Sequence, residues 1–196
     1  IYRGRIFIAA NHSSGAPLPN FMDYNAHAYY SDDHGKSFKL SETVNVPGSN
    51  ESTAAEISNN RVMLNARNQS GHIKARLAVI GSNGGANWDT SYFDNQLPDP
   101  VCEGSILNIG TKNKKNILAF SNAADTLRRD NLTLRISFDE GKTWPKRIPI
   151  DKSSVEGAKD FTAYSDLVKM NNNQIGVLYE KEGYAKIEFI VINWKK

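Results

Sequence analysis

The chain holds one cysteine, Cys102, and four histidines. A lone thiol cannot make an internal disulfide, and no Cys/His cluster has the spacing of a zinc site. Chemistry here therefore rests on carboxylate, guanidinium and phenol groups. They gather in five short segments: Asn50-Glu51-Ser52, Leu64-Asn65-Ala66-Arg67-Asn68, Arg129-Asp130-Asn131-Leu132-Thr133-Leu134-Arg135, Ala163-Tyr164-Ser165-Asp166-Leu167 and Leu178-Tyr179-Glu180. A planar guanidinium binds a carboxylate in a bidentate way that Lys cannot match. A phenol, with an ordinary pKa of about 10, attacks only if a neighbouring base takes its proton. By residue type alone, Glu51 is one of 21 acidic residues and reads as a solvated carboxylate, and Tyr164 is one of 8 tyrosines and reads as an aromatic packed at a strand start.

The elements that must position these groups are strands. Helical periodicity is nearly absent, and the apolar segments are short, rich in Val, Ile, Tyr and Phe, and punctuated by Gly, Asn, Asp and Ser. Strands are expected at 4–10, 27–31, 61–66, 74–81, 116–121, 132–137, 166–170, 174–180 and 186–193. Tight turns such as Asn171-Asn172-Asn173 and Lys181-Glu182-Gly183 suit antiparallel hairpins and argue against a parallel α/β fold. An internal repeat refines this all-β reading. Residues 31–38 and 137–144 share the pattern Ser-x-Asp-x-Gly-x-[Ser/Thr]-aromatic, with a degraded copy at 81–88. The closing aromatics Phe38, Trp88 and Trp144 lie 50 and 56 residues apart. That period suits a four-stranded propeller blade, whose repeats run roughly 40 to 50 residues. In this turn, the Asp-box, Asp accepts hydrogen bonds from its own turn, Gly supplies positive φ, and the aromatic tucks into the blade it closes. The motif speaks for the scaffold and not for chemistry.

Composition narrows the partners. With 196 residues, 24 Lys+Arg against 21 Asp+Glu and 39% hydrophobic residues, the chain is an ordinary folded domain. Its net charge is only +3 and no basic run exceeds a pair, which gives no case for nucleic acid. No apolar stretch approaches the ~20 residues that span a bilayer. The opening Ile-Tyr-Arg-Gly-Arg-Ile-Phe-Ile-Ala-Ala has no initiator Met and no signal-peptide pattern, and reads as the middle of a protein.

In identity and order, the five segments and the interleaved Asp-boxes resemble the exo-α-sialidases (neuraminidases) of bacterial type, from about the first Asp-box to the C-terminus. The resemblance implies a six-bladed propeller, of which residues 1–196 would be the C-terminal part of a single catalytic domain, about four blades at the repeat length. It implies retaining cleavage of terminal sialic acid from a sialylated glycan through a Tyr nucleophile, an exception among glycosidases. The substrate explains that exception. Sialic acid carries a carboxylate on its anomeric carbon, so an Asp or Glu nucleophile would approach a like charge, at a cost of several kcal/mol in a pocket of reduced dielectric. On this resemblance Tyr164 is the nucleophile and Glu51 the base that takes its proton. Arg67 and Arg129 are the second and third of three Arg that bind the substrate carboxylate. Glu180 supports the first. Arg135 is expected to be structural or rim-exposed, Arg128 solvent-facing, the segment 99–105 a loop supporting a strand, and Cys102 a small buried residue.

Two family residues have no match here: the first Arg, in its Phe/Tyr-Arg-Ile-Pro motif, and the Asp acid/base that follows it. Tyr2-Arg3-Gly4-Arg5 lacks the Pro, and Arg3 lies only 48 residues before Glu51. An N-terminal part of the same catalytic domain is thus an expected partner, and the isolated chain is expected to be poorly soluble and inactive. No metal or organic cofactor is expected, because Arg handles charge and side chains handle protons. Trans-sialidases and intramolecular trans-sialidases share these residues. A non-catalytic Asp-box propeller would keep the repeats without the site. The substrate class implies a secreted, periplasmic or cell-surface location.

Overall fold

A computed structural model describes residues 4–154 and 161–196; Tyr2 and Arg3 of the Tyr2-Arg3-Gly4-Arg5 run lie outside them. Fourteen strands are described in chain order: β1 Ile6–Ser13, β2 Tyr24–Ser31, β3 Lys39–Leu40, β4 Ser49–Ile57, β5 Arg61–Asn68, β6 Ala75–Ser82, β7 Asn87–Pro98, β8 Gly104–Lys112, β9 Lys115–Ala123, β10 Leu132–Ser137, β11 Lys146–Asp151, β12 Thr162–Lys169, β13 Gln174–Lys181 and β14 Lys186–Asn193. They form four antiparallel meanders, β1-β2-β3, β4-β5-β6-β7, β8-β9-β10-β11 and β12-β13-β14. The all-β reading and the blade-length repeat hold.

Each meander packs face to face on the next through its own apolar cluster. Ala26 and Val44 meet Leu64, Ala66, Leu77 and Val79; Ala55, Ile57, Met63 and Leu97 meet Ile106, Leu118 and Phe120; Leu132, Leu134 and Ile136 meet Leu167, Ile175 and Val177. Strands covered on both faces lose the alternation of a half-exposed sheet, which is why β10 is buried at every position while β14 is not. The strands that begin successive meanders lie side by side and are tied by hydroxyls. Thr53 Oγ1 of β4 donates to the Gly104 carbonyl at 3.1 Å and accepts the Ile106 N–H of β8 at 2.9 Å. Ser105 Oγ of β8 donates to Asp166 Oδ1 of β12 at 2.8 Å.

The two intact Ser-x-Asp-x-Gly turns are near copies. Ser31 and Ser137 Oγ donate to Asp33 and Asp139 at 2.7 and 2.8 Å, and accept the N–H of Gly35 and Gly141 at 2.8 and 2.7 Å. Gly35, Gly85 and Gly141 have φ of 85, 84 and 84°, so the degraded copy keeps its backbone, and Asn83 Nδ2 donating to Asn87 Oδ1 at 2.8 Å replaces the lost Asp bond. A Cβ at Gly141 would come within 2.5 Å of Met63 Cε. The closing aromatics divide. Trp144 is buried and donates through Nε1 to Asp94 Oδ2 of β7, and Trp88 donates through Nε1 to the Glu42 carbonyl, each reaching the preceding meander. Phe38 is 48% exposed, against expectation: among the described residues no meander precedes β1-β2-β3 to receive it.

Strands β3, β4, β7, β8 and β11 fall outside the expected set, and β12 begins at Thr162 rather than 166. Strand β4 opens Ser-Asn-Glu-Ser-Thr and much of the outer strand β7 is exposed and polar, so neither carries an apolar signature.

Candidate active site

Two β-bulges build the site. At the start of β4, Ser49 pairs with Asn68 and Ser52 with Ala66, so Asn50 and Glu51 together face the single residue Arg67 of β5. At the start of β12, Thr162 pairs with Lys181 and Ser165 with Tyr179, so Ala163 and Tyr164 together face Glu180 of β13. A bulge kinks its strand and re-aims side chains. Here it brings Glu51, Arg67, Tyr164 and Glu180 to the same end of neighbouring strands.

The Tyr164 hydroxyl donates to Glu51 Oε1 at 2.6 Å. One Arg67 nitrogen, Nη1, donates to the Tyr164 oxygen at 2.9 Å and also to Glu51 Oε2, with which it forms an ion pair. Arg67 is 9% exposed, and its buried Nε has no hydrogen-bond partner among the described residues. The Arg129 guanidinium sits 5.6 Å from the Tyr164 ring centroid, donating to the exposed Tyr184 hydroxyl at 2.9 Å and to the Val101 carbonyl at 3.1 Å. The phenol is held neutral: burial, then the hydrogen bond to Glu51, push it up to about 12, with the Arg67 and Arg129 charges pulling the other way. A neutral phenol already donating its proton in a hydrogen bond to a carboxylate, beside two guanidinium groups, is equipped to give that proton up as it attacks.

Glu180 accepts the Tyr164 backbone N–H at 3.2 Å and so braces the phenol's own strand; the first Arg it is expected to support has no match in this chain. Arg135 is buried rather than rim-exposed, with Nη1 on Asn122 Oδ1 at 3.1 Å, because β10 is covered on both faces. Arg128 is half-buried rather than solvent-facing, its backbone N–H turned onto Asp125 Oδ1. Cys102 is fully buried, and burial raises its thiol to about 12. No group of three or more His, Cys, Asp or Glu suited to a metal ion occurs among the described residues.

One residue that sequence reasoning passed over lies beside the phenol. Glu103, just before β8, accepts the Ser165 N–H at 3.2 Å and lines a cavity of about 360 Å³ with Thr53, Tyr164, Asp166 and Glu180. Burial pushes its carboxyl up to about 7 from 4.5; the Arg76 charge and the Ser165 N–H oppose the shift, and Asp166 and Glu51 add to it. The folded state thus holds a proton there that the unfolded chain gives up between about pH 4.5 and 7, and stability falls as pH rises through that window. Gln does not titrate. Relative to wild type, Glu103→Gln is expected to gain about 1 to 3 kcal/mol between pH 4.5 and pH 8. Denaturant unfolding at both pH values checks this, and parallel pH dependence in the two proteins refutes it.

Known proteins resemble this chain along most of its length. The BNR repeat-like domain family matches residues 2–177. A sialidase of Micromonospora viridifaciens is 34% identical over 165 residues, covering 80% of this chain and 24% of that protein. The chain thus spans about a quarter of that relative's length. Among solved structures, the Hadza microbial sialidase Hz136 superposes on all of this chain and 36% of its own with a TM-score of 0.81 at 25% identity. The leech intramolecular trans-sialidase, solved with 2,7-anhydro-Neu5Ac, shares the fold at a TM-score of 0.70 and 20% identity over 86% of this chain and 27% of its own. Four consecutive meanders as blades of a β-propeller, the repeated turns that lock them and an alignment running almost end to end have one explanation: the chain belongs to the BNR repeat-like domain family, within the bacterial sialidases.

Proposed function

We propose that this chain contributes most of the catalytic pocket of a retaining exo-α-sialidase acting on terminal sialic acid of glycoconjugates. The observation that carries the reading is the Tyr164 hydroxyl donating to Glu51 at 2.6 Å while one Arg67 nitrogen touches both. In the proposed reaction the Tyr164 oxygen attacks the anomeric carbon and Glu51 takes its proton. The glycosidic C–O bond breaks with its electron pair going to the leaving oxygen, which is protonated by an Asp outside this chain. Water then attacks the anomeric carbon, giving its proton to that Asp, and the Tyr164 oxygen leaves, reclaiming its proton from Glu51. Arg67, with an uncommitted buried Nε, and Arg129 bind the substrate carboxylate, together with a third Arg from outside the chain. A neutral nucleophile suits a substrate whose reacting carbon bears a carboxylate. Such a substrate places the enzyme outside the cytoplasm, secreted, periplasmic or on the cell surface.

The test is product analysis. The complete enzyme, given a sialylated oligosaccharide, is expected to release free sialic acid whether or not an acceptor glycan is present, and residues 1–196 alone are expected to release none. A sialylated acceptor or an anhydro sugar as the main product would replace hydrolysis by inter- or intramolecular transfer. Binding of the glycan without any cleavage would leave a non-catalytic propeller.

A further inference from the structure

The bulge at the start of β12 leaves Tyr164 with no Cα partner on β13. The two peptide groups that flank its Cα are instead held by carboxylates from different elements. Glu180 of β13 accepts the N–H of the preceding peptide, on Tyr164, and Glu103 accepts the N–H of the following one, on Ser165, each at 3.2 Å. Planar peptides leave a residue only φ and ψ to turn. Pinning both planes therefore fixes the direction in which the phenol leaves the chain.

Glu103 can act this way because its own loop is anchored. Arg76, fully buried, pairs with Asp99 at 3.3 Å and donates to the Cys102 carbonyl. Asp99 in turn accepts the Cys102 N–H at 2.8 Å. Val101 of the same loop, at φ 65°, turns its carbonyl onto Arg129 at 3.1 Å. A single short loop thereby sets both an anion-binding Arg and the peptide behind the phenol.

We infer that Glu103 is a positioning residue for Tyr164, its carboxyl group holding the Ser165 peptide so that the phenol is aimed at the reacting carbon. This rests on the reading of Tyr164 as nucleophile. Glu103→Ala removes the acceptor, whereas Glu103→Gln keeps an oxygen at the same reach.

In the complete enzyme, Glu103→Ala is expected to lower kcat about 10- to 100-fold on a sialoside, the scale of a misplaced reacting group, with KM within about threefold. Glu103→Gln is expected to restore kcat to within about threefold of wild type. Amide hydrogen exchange at Ser165, read independently of activity, should quicken about tenfold in the Ala variant and not in the Gln variant. Unchanged Ser165 exchange in Glu103→Ala, or equal loss of kcat in both variants, overturns the inference. If the wild type cleaves no sialoside while Ser165 exchange responds as described, the sialidase reading falls and the hold of Glu103 on the peptide stands.

Discussion

Replacing Tyr164 by Phe is expected to lower kcat for sialoside cleavage by about 10³-fold or more while leaving KM within a few-fold, because in the proposed reaction the lost oxygen is the atom that forms the covalent bond. The expectation draws on the hydroxyl's surroundings. Its proton points at Glu51 in a hydrogen bond, and burial together with that hydrogen bond raises the phenol to about 12 and keeps it neutral. Phe keeps the ring beneath the Arg129 guanidinium, so packing is preserved. Loss of the hydroxyl's bonds to Glu51 and Arg67 should cost only about 1 kcal/mol of stability, since these two partners remain paired with each other. A melting temperature near wild type would accompany the lost turnover. Trapping with a slowly released sialosyl fluoride should label Tyr164 in wild type and leave the Phe variant unlabelled. Wild-type kcat in the Tyr164→Phe enzyme would remove Tyr164 from the mechanism.

How far these features were legible in the sequence depends on whether they are local. The turn at 137–144 could be read because Ser137, Asp139, Gly141 and Thr143 bond to one another within four residues of chain, and the same holds at 31–38. Strands with apolar runs, such as 61–66 and 132–137, were equally visible. Strand β4 was not, because its first residues are polar and its bulge breaks the two-residue period on which strand patterns rest. The bulge at Tyr164 hid the start of β12 in the same way. Glu103 was missed for a related reason. Its partner is a backbone N–H 62 residues away, available only once two blades are docked, and no residue type marks such an acceptor. Phe38 failed in the opposite sense: the local turn is right, but the burial of its aromatic belongs to a neighbouring blade.

Arg67 should prove the least replaceable cation of the site. Its Nη1 serves Glu51 and Tyr164 together, and its buried Nε has no hydrogen-bond partner among the described residues. Lysine retains the charge but offers one compact ammonium, which cannot span the pair and a substrate carboxylate in a fixed fork. Arg67→Lys is therefore expected to raise KM, through weaker carboxylate binding, and to lower kcat, through a loosened Glu51–Tyr164 pair. The combined fall in kcat/KM is set at about 10²- to 10³-fold, or about 3 to 4 kcal/mol. Arg67→Met removes the charge as well. It takes away one of the two cations that lower the Tyr164 pKa, so the phenol should become harder to deprotonate, and the loss in kcat should exceed that of the Lys variant. Steady-state kinetics on the two variants separates geometry from charge. Equal kcat in Lys and Met would show that the fork alone matters, and wild-type kcat/KM in the Lys variant would show that it does not.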